Sequence, residues 1–178
     1  MNTRASRLAF AAVLAVTFTS CGGEDASVST EEAGLSAEVN QELAELRRLV
    51  APFHDFETAQ EAGWTVQITD CLENPPQGAQ GFHWGNPAFI DNEAVLLEPE
   101  LLLYEPQKNG KLRLVGVEFI IPFELLPPES EPPVLLGQQF HLNTQAGLWA
   151  LHVWLGRHNP SGLFADWNPK VSCEFATE

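Results

Sequence analysis

Glu118 stands inside the apolar run Leu114-Val115-Gly116-Val117-Glu118-Phe119-Ile120-Ile121, where a carboxylate is out of character. Buried there without a partner, it would cost several kcal/mol or take up a proton. It therefore faces solvent at a sheet edge, pairs with an arginine such as Arg113 or Arg157, or serves as a metal ligand or general base. Four of the five histidines supply company for the last of these roles. They are His83 in Gly81-Phe82-His83-Trp84-Gly85-Asn86-Pro87, His141 after Phe140, and His152 and His158 in Leu151-His152-Val153-Trp154-Leu155-Gly156-Arg157-His158. A single histidine beside apolar residues is commonly a hydrogen-bonded structural residue. Several of them, with a misplaced glutamate and aromatics around them, point to a shared site.

His83, Glu118 and His152, with His141 as a fourth member, form the constellation best suited to chemistry. Imidazoles with one carboxylate suit one divalent transition metal (Zn²⁺, Fe²⁺, Mn²⁺ or Cu²⁺), and an open coordination position would permit catalysis. The chain has no His-Glu-x-x-His, no close His-x-His pair and no cupin-like spacing, so these residues can meet only through the fold. As one strand, His152, Trp154, Gly156 and His158 share a face; six residues at about 3.3 Å then put His152 and His158 about 20 Å apart. Ligands sit only about 2 Å from an ion, so these two do not serve one mononuclear site. Asn159-Pro160-Ser161-Gly162 predicts a type I turn, which makes His158 a turn-flanking residue that hydrogen-bonds to the loop.

Trp64, Trp84, Trp149, Trp154 and Trp167 are the other unusual group. Five tryptophans in a small domain serve as core and rim packing or line a groove for a small-molecule ligand, each N–H needing a partner in either case. For the groove, Trp84, Trp149 and Trp154 are the candidate lining residues. Trp154 shares a strand face with His152, so the metal and ligand readings can describe one pocket. No Gly-x-Ser-x-Gly, phosphate loop or free Cys beside a His is present.

The cysteines and the N-terminus predict where the chain works. Arg4 and Arg7 precede an apolar run from Leu8 to Val16 that is far shorter than a membrane span, which predicts a signal peptide over residues 1–20. Phe18-Thr19-Ser20-Cys21 resembles a bacterial lipobox, with Phe18 in place of the usual Leu; an ordinary cleavage site beside a Cys is the alternative. Lipidation of Cys21 leaves an even pair, Cys71 and Cys173, expected to form a disulfide in an oxidising compartment; a pair of thiolate metal ligands is the rival. Residues 21–35 read as the lipidated Cys and a flexible acidic tether, and 36–178 as one globular domain. Loss of residues 1–20 takes away two arginines and no acids, moving the formal charge from −15 to −17. Phosphate repels such a chain, which argues against nucleic-acid binding and against electrostatic docking on anionic lipid. The expected location is the cell envelope, with the acyl chains as the contact with the membrane.

Positioning these residues falls to an α+β domain. Val39, Leu43, Leu46 and Val50 predict a helix after Ser36 that ends near Pro52, and a shorter one is expected from Asp55 to Ala62 with Gly63 as its stop. Beyond Trp64 the chain reads as a mainly antiparallel sheet. Leu101 to Tyr104 and Leu112 to Ile121 form a hairpin through Asn109-Gly110, expected as a two-residue type I′ turn. That register sets Leu102 opposite Val117 and Tyr104 opposite Val115. A second β unit is expected from Gln138 to Leu142 and from Leu148 to Leu155.

The run from Leu151 to Leu155, with His158-Asn159-Pro160-Ser161-Gly162 and Trp167-Asn168-Pro169-Lys170-Val171-Ser172-Cys173, resembles a family of uncharacterised exported bacterial lipoproteins. The resemblance reaches back through Ala62-Gly63-Trp64, Cys71, Gly81-Phe82-His83-Trp84-x-Asn86-Pro87, Leu103-Tyr104-Glu105-Pro106 and Val117-Glu118, covering most of residues 55 to 173. It implies export and brings no activity with it. Family members often carry Met-Gly before the His motif, where Gln80-Gly81 stands here. The expectation is a secreted domain that binds a metal or small ligand through a His, Glu and Trp site. The alternatives are a metal-dependent enzyme and a structural or protein-interaction lipoprotein whose His and Glu serve internal hydrogen bonds.

Overall fold

The apolar stripe after Ser36 forms α1 (Ala37–Val50): the Ser36 side chain accepts from the Val39 N–H, and Leu43, Leu46 and Val50 are buried. A 3-10 turn from Ala51 to His54, opened by Pro52, leads into α2 (Phe56–Glu61), which is capped by the Asp55 carboxylate accepting from the Glu57 and Thr58 N–H groups. Gly63, at φ 116°, ends it in a conformation that favours glycine. The computed structural model describes residues 34–176; the expected signal peptide, Cys21 and nearly all of the expected tether lie outside the described residues. No helix among the described residues is long and apolar enough to cross a membrane.

The sheet is antiparallel throughout. Its strands are β1 (Val66–Asn74), β2 (Gly78–Gly85), β3 (Leu101–Pro106), β4 (Leu112–Pro122), β7 (His141–Asn143) and β8 (Leu148–Val153), in the order β1-β2-β3-β4-β8-β7. A two-residue ladder pairs β5 (Val134–Leu135) with β6 (Gln138–Gln139). The fold is thus α+β, with two short helices before a mainly antiparallel sheet and one disulfide, Cys71–Cys173. Side chains alternate across a strand, and the helices cover one face. There Leu43, Leu46, Phe53 and Trp64 pack with Leu102, Tyr104, Phe119 and Leu151, and the Tyr104 hydroxyl donates to the Phe53 carbonyl at 2.6 Å. The other face is covered by the chain after β8, a strap from Leu155 to Ala176. It is held by a bridge between Ala79 and Asn168, by the Trp154 indole N–H donating to the Ala165 carbonyl at 2.6 Å, and by the disulfide.

Four details of the β reading are corrected. Leu102 does face Val117, but Tyr104 faces Leu114, because Val115 is an extra residue in β4. The bulge comes from tertiary crowding: Gly156 N–H and Arg157 N–H both donate to the Val115 carbonyl, and a Cβ on Gly156 would lie 2.3 Å from the Leu114 carbonyl oxygen. The hairpin turn is a three-residue loop, with Gly110 N–H donating to the Gln107 carbonyl and only Gly110 at positive φ; a type I′ turn would need Asn109 there too. The segment from Gln138 to Leu142 breaks at the buried Phe140, so its two halves join different ladders. The last strand ends at Val153, where Trp154 N–H turns to the Leu163 carbonyl.

Candidate functional site

Strand alternation sets the site on the strap side. His83 in β2 pairs with Leu103, Leu101 pairs with Glu118 in β4, and Glu118 pairs directly with His152 in β8. β3 lies between His83 and Glu118, but Leu102 points to the helix side, so the two side chains meet across β3 between Leu101 and Leu103. The Nε2 atom of His83 is 3.3 Å from Glu118 Oε2, and His152 Nε2 is 3.5 Å from Glu118 Oε1. All three residues are buried. Glu118 does not face solvent; Arg113 and Arg157 bond instead to the carbonyls of Gly156 and Lys170.

Electrostatics bind the group. Burial pushes the Glu118 carboxyl up, yet the charge of His152, the hydrogen bond and charge of His83 and the charge of His141 outweigh it and hold it below its ordinary value. Burial pushes His152 down, and Glu118 followed by Asp166 more than restores it, so its net shift is upward. Thr69 Oγ1 lies 2.8 Å from His83 Nδ1, which leaves Nε2 as the nitrogen turned to Glu118. Both ring nitrogens of His152 are buried with no hydrogen-bond partner.

The separations speak to the chemistry. Charge-assisted N–H···O⁻ bonds run to about 2.7–2.9 Å, shorter than either contact to Glu118. Ligands at about 2.0–2.1 Å around a tetrahedral ion are about 3.4 Å from one another, close to the spacing found here. One ligand atom from each of the three residues falls within 4.8 Å of the other two.

His141, the fourth candidate, stands beside this group. It joins a second one with His152 and Asp166: its Nδ1 is 3.3 Å from Asp166 Oδ1, and its ring is parallel to that of His152, with centroids 6.1 Å apart. His152 holds the Asp166 carboxyl below its usual range; partial burial opposes this, and His141 adds to it. These residues lie in an open pocket of about 370 Å³ that also reaches Gln80 and Trp167. Asp166 and Thr69 did not figure in the sequence reading. A signal for Asp166 existed: seven residues before Cys173, it lies in the segment that a Cys71 disulfide would draw onto the sheet.

None of the three tryptophans expected to line a ligand groove borders this pocket, which Trp167 reaches instead; Trp154 lies on the histidine face, buried and stacked on His152 with centroids 6.2 Å apart. Trp84 packs edge-on to Phe56, and Trp149 lies in the helix-side core against Phe123, both across the sheet from the histidines. His158 is exposed, beyond the end of the strand, and no loop hydrogen bond from its ring is found among the described residues. Asn159 to Gly162 do form the expected turn, with Gly162 N–H donating to the Asn159 carbonyl.

Glu100 is a buried acid at the edge of the group, only 1% exposed, with Oε2 accepting from the Ile120 N–H at 3.1 Å. Burial pushes its carboxyl up to about 8; hydrogen bonds from its own amide and that of Ile120 oppose this, and Asp91 and Glu118 add to it. A folded pKa above the unfolded one means that stability is full below about 4.5 and falls as pH rises through about 8. Glu100→Gln is therefore expected to be more stable than wild type at pH 7, by about 3 kcal/mol at 1.36 kcal/mol per pKa unit, and equal to it at pH 4. Urea midpoints at both pH values measure this; the same difference at each would refute it.

The fold and site thus define an α+β protein with a histidine and glutamate cluster on the sheet face opposite its helices. No family model, curated protein or solved structure matches the chain.

Proposed function

We propose that this chain is an exported bacterial lipoprotein, anchored at the cell envelope through Cys21, whose domain binds one divalent transition cation through His83, Glu118 and His152. The observation that carries the binding site is the convergence of two buried imidazole Nε2 atoms on one buried carboxylate, at spacings suited to ligand edges. Two nitrogens and a carboxylate suit Zn²⁺ or Cu²⁺ better than Mg²⁺ or Ca²⁺, which favour all-oxygen sites. Thr69 supplies the outer hydrogen bond that fixes a ligating ring. A bound ion with an open position would polarise a substrate; of the three residues, His152 also lines the open pocket. A purely structural role for these residues, with His83 hydrogen-bonded to Glu118, is the competing reading, and the two buried His152 nitrogens without a hydrogen-bond partner weigh against it.

The disulfide is consistent with an oxidising compartment, and the family resemblance of residues 55 to 173 belongs to the same proposal. The test of the site is a Zn²⁺ and Cu²⁺ titration of the chelator-treated full chain with elemental analysis. At least one equivalent is expected, reduced by one in His83→Ala; sub-stoichiometric metal in every sample would end the proposal. Triton X-114 partition tests the anchor, which a wholly aqueous processed protein would rule out.

A further inference from the structure

His152 offers a nitrogen on each side. Its Nε2 faces Glu118, and its Nδ1 faces Asp166 Oδ1 at 3.7 Å, beyond hydrogen-bond range. We infer that His141 Nδ1, Asp166 Oδ1 and His152 Nδ1 form a second, solvent-facing site for a divalent transition cation, so that the His152 imidazole bridges two ions. This rests on the reading of His83, Glu118 and His152 as the first site.

Four observations carry it. Ligand atoms of the three residues fall within 4.8 Å of one another. His152 is 2% exposed, and its Nδ1 has no hydrogen-bond partner while facing the group. A buried, unpartnered imidazole nitrogen is costly unless something binds it. The loop that carries Asp166 is pinned in place: Gln80 Nε2 donates to the Asp166 carbonyl at 2.9 Å, and the Trp154 indole N–H holds the Ala165 carbonyl beside it. Finally, the pocket walls contribute amides and a hydroxyl from Asn74, Asn143, Thr144 and Gln145 and no lysine or arginine, so no side-chain cation among the lining residues competes for Asp166.

The donor set again selects the chemical class, since two imidazole nitrogens and one carboxylate suit Zn²⁺ or Cu²⁺. Neutral imidazole carries one ring proton. When the second ion binds Nδ1, that proton leaves to solvent and the ring becomes an imidazolate, whose negative charge joins those of Glu118 and Asp166 between two dications. The outer ion sits at the pocket and the inner one beneath it, with the shared ring between them.

Equilibrium dialysis of the chelator-treated full chain against Zn²⁺, read by elemental analysis, tests this. Wild type is expected to hold two ions, and His141→Ala and Asp166→Asn one each. Both replaced side chains are partly exposed, at 38% and 47%, so these variants leave the core intact, which denaturation midpoints verify. One ion in wild type that His141→Ala retains and Glu118→Gln loses would overturn the second site and leave the first standing. One ion lost from both variants would mean a single centre, also overturning it. No ion at all would end both readings. Cu²⁺ loading gives an independent check: bridged spins couple, so the two-copper protein is expected to integrate to well under twice the electron paramagnetic resonance intensity of one-copper His141→Ala. Two full, independent signals would overturn the bridge.

Discussion

Glu118→Ala is expected to lower the stability of the metal-free protein by about 3–5 kcal/mol, the usual cost of removing one partner of a buried charged group, and to abolish binding at the inner site. Among the described residues, Glu118 is the carboxylate that both His83 and His152 face through Nε2. Without it, the Nε2 atoms of His152 and His83 lose the carboxylate they face in the interior, His83 on the side away from Thr69. A domain of this size is stable by only about 5–15 kcal/mol, so the variant would sit near the threshold for folding. Glu118→Gln separates the two roles. The amide keeps the volume and a hydrogen-bonding oxygen, so the metal-free variant is expected to lose much less stability. It lacks the negative charge, so its affinity for the inner ion is expected to fall at least 100-fold. At a free Zn²⁺ concentration 100 times its dissociation constant in wild type, the inner ion would add about 2.7 kcal/mol to wild type and almost nothing to Glu118→Gln, both compared in the His141→Ala background that lacks the outer site. Urea denaturation with and without Zn²⁺ reads both effects. Equal stabilisation of wild type and Glu118→Gln would refute the role of the carboxylate as a ligand.

The residues of that centre were legible one at a time and their assembly was not. Glu118 shows itself because a carboxylate in an apolar β run needs a partner, and the helices because apolar spacing, caps and a stop agree. Strand alternation also held more information than the tryptophan reading drew from it. Trp84 follows His83 directly and Trp149 lies three residues before His152, so along regular strands both point away from the histidines, whereas Trp154, two residues on from His152, points with it. Strand order is another matter. His83 reaches Glu118 only because β2, β3 and β4 lie in sequence order, and His152 reaches it only because β8, lying between β4 and β7, is the neighbour of β4. His83 and Glu118 are 35 positions apart in sequence and Glu118 and His152 are 34, and no local pattern encodes their meeting. The bulge at Val115 has the same origin, since its cause is the approach of Gly156 after β8. Asp166 arrives on a strap with neither helical nor strand periodicity, placed by contacts of Ala79, Gln80 and Trp154.

The double variant Cys71→Ser, Cys173→Ser is expected to lose about 4–5 kcal/mol, because the bond closes a loop of roughly 100 residues and the chain-entropy cost of that loop is about 4.7 kcal/mol. The two cysteines are 102 positions apart, with Cα atoms 5.8 Å apart. The bond joins the edge strand β1 to the strap, and Cys173 packs against Ala79, Leu103, Val115, Trp154 and Val171 beneath the site. Once it is cut, the strap still has its own anchors: Ser172 N–H donates to Glu105 Oε1, and Gln80 Nε2 donates to the Asp166 carbonyl. The folded variant should therefore keep its sheet and the inner triad. Most of the loss lies in the unfolded chain, which gains freedom when the loop opens, so the denaturation midpoint should fall while the near-ultraviolet signal of the native tryptophans persists. The strap also carries Asp166, seven residues before Cys173, so the outer ion should weaken more than the inner one in the double variant. Urea unfolding of the oxidised chain and the double variant, followed by Zn²⁺ titration of each, measures both effects. An unchanged midpoint would mean that the covalent tie adds nothing to the strap's noncovalent contacts, and a parallel loss of both ions would mean that the strap shapes the inner triad as well as the outer one.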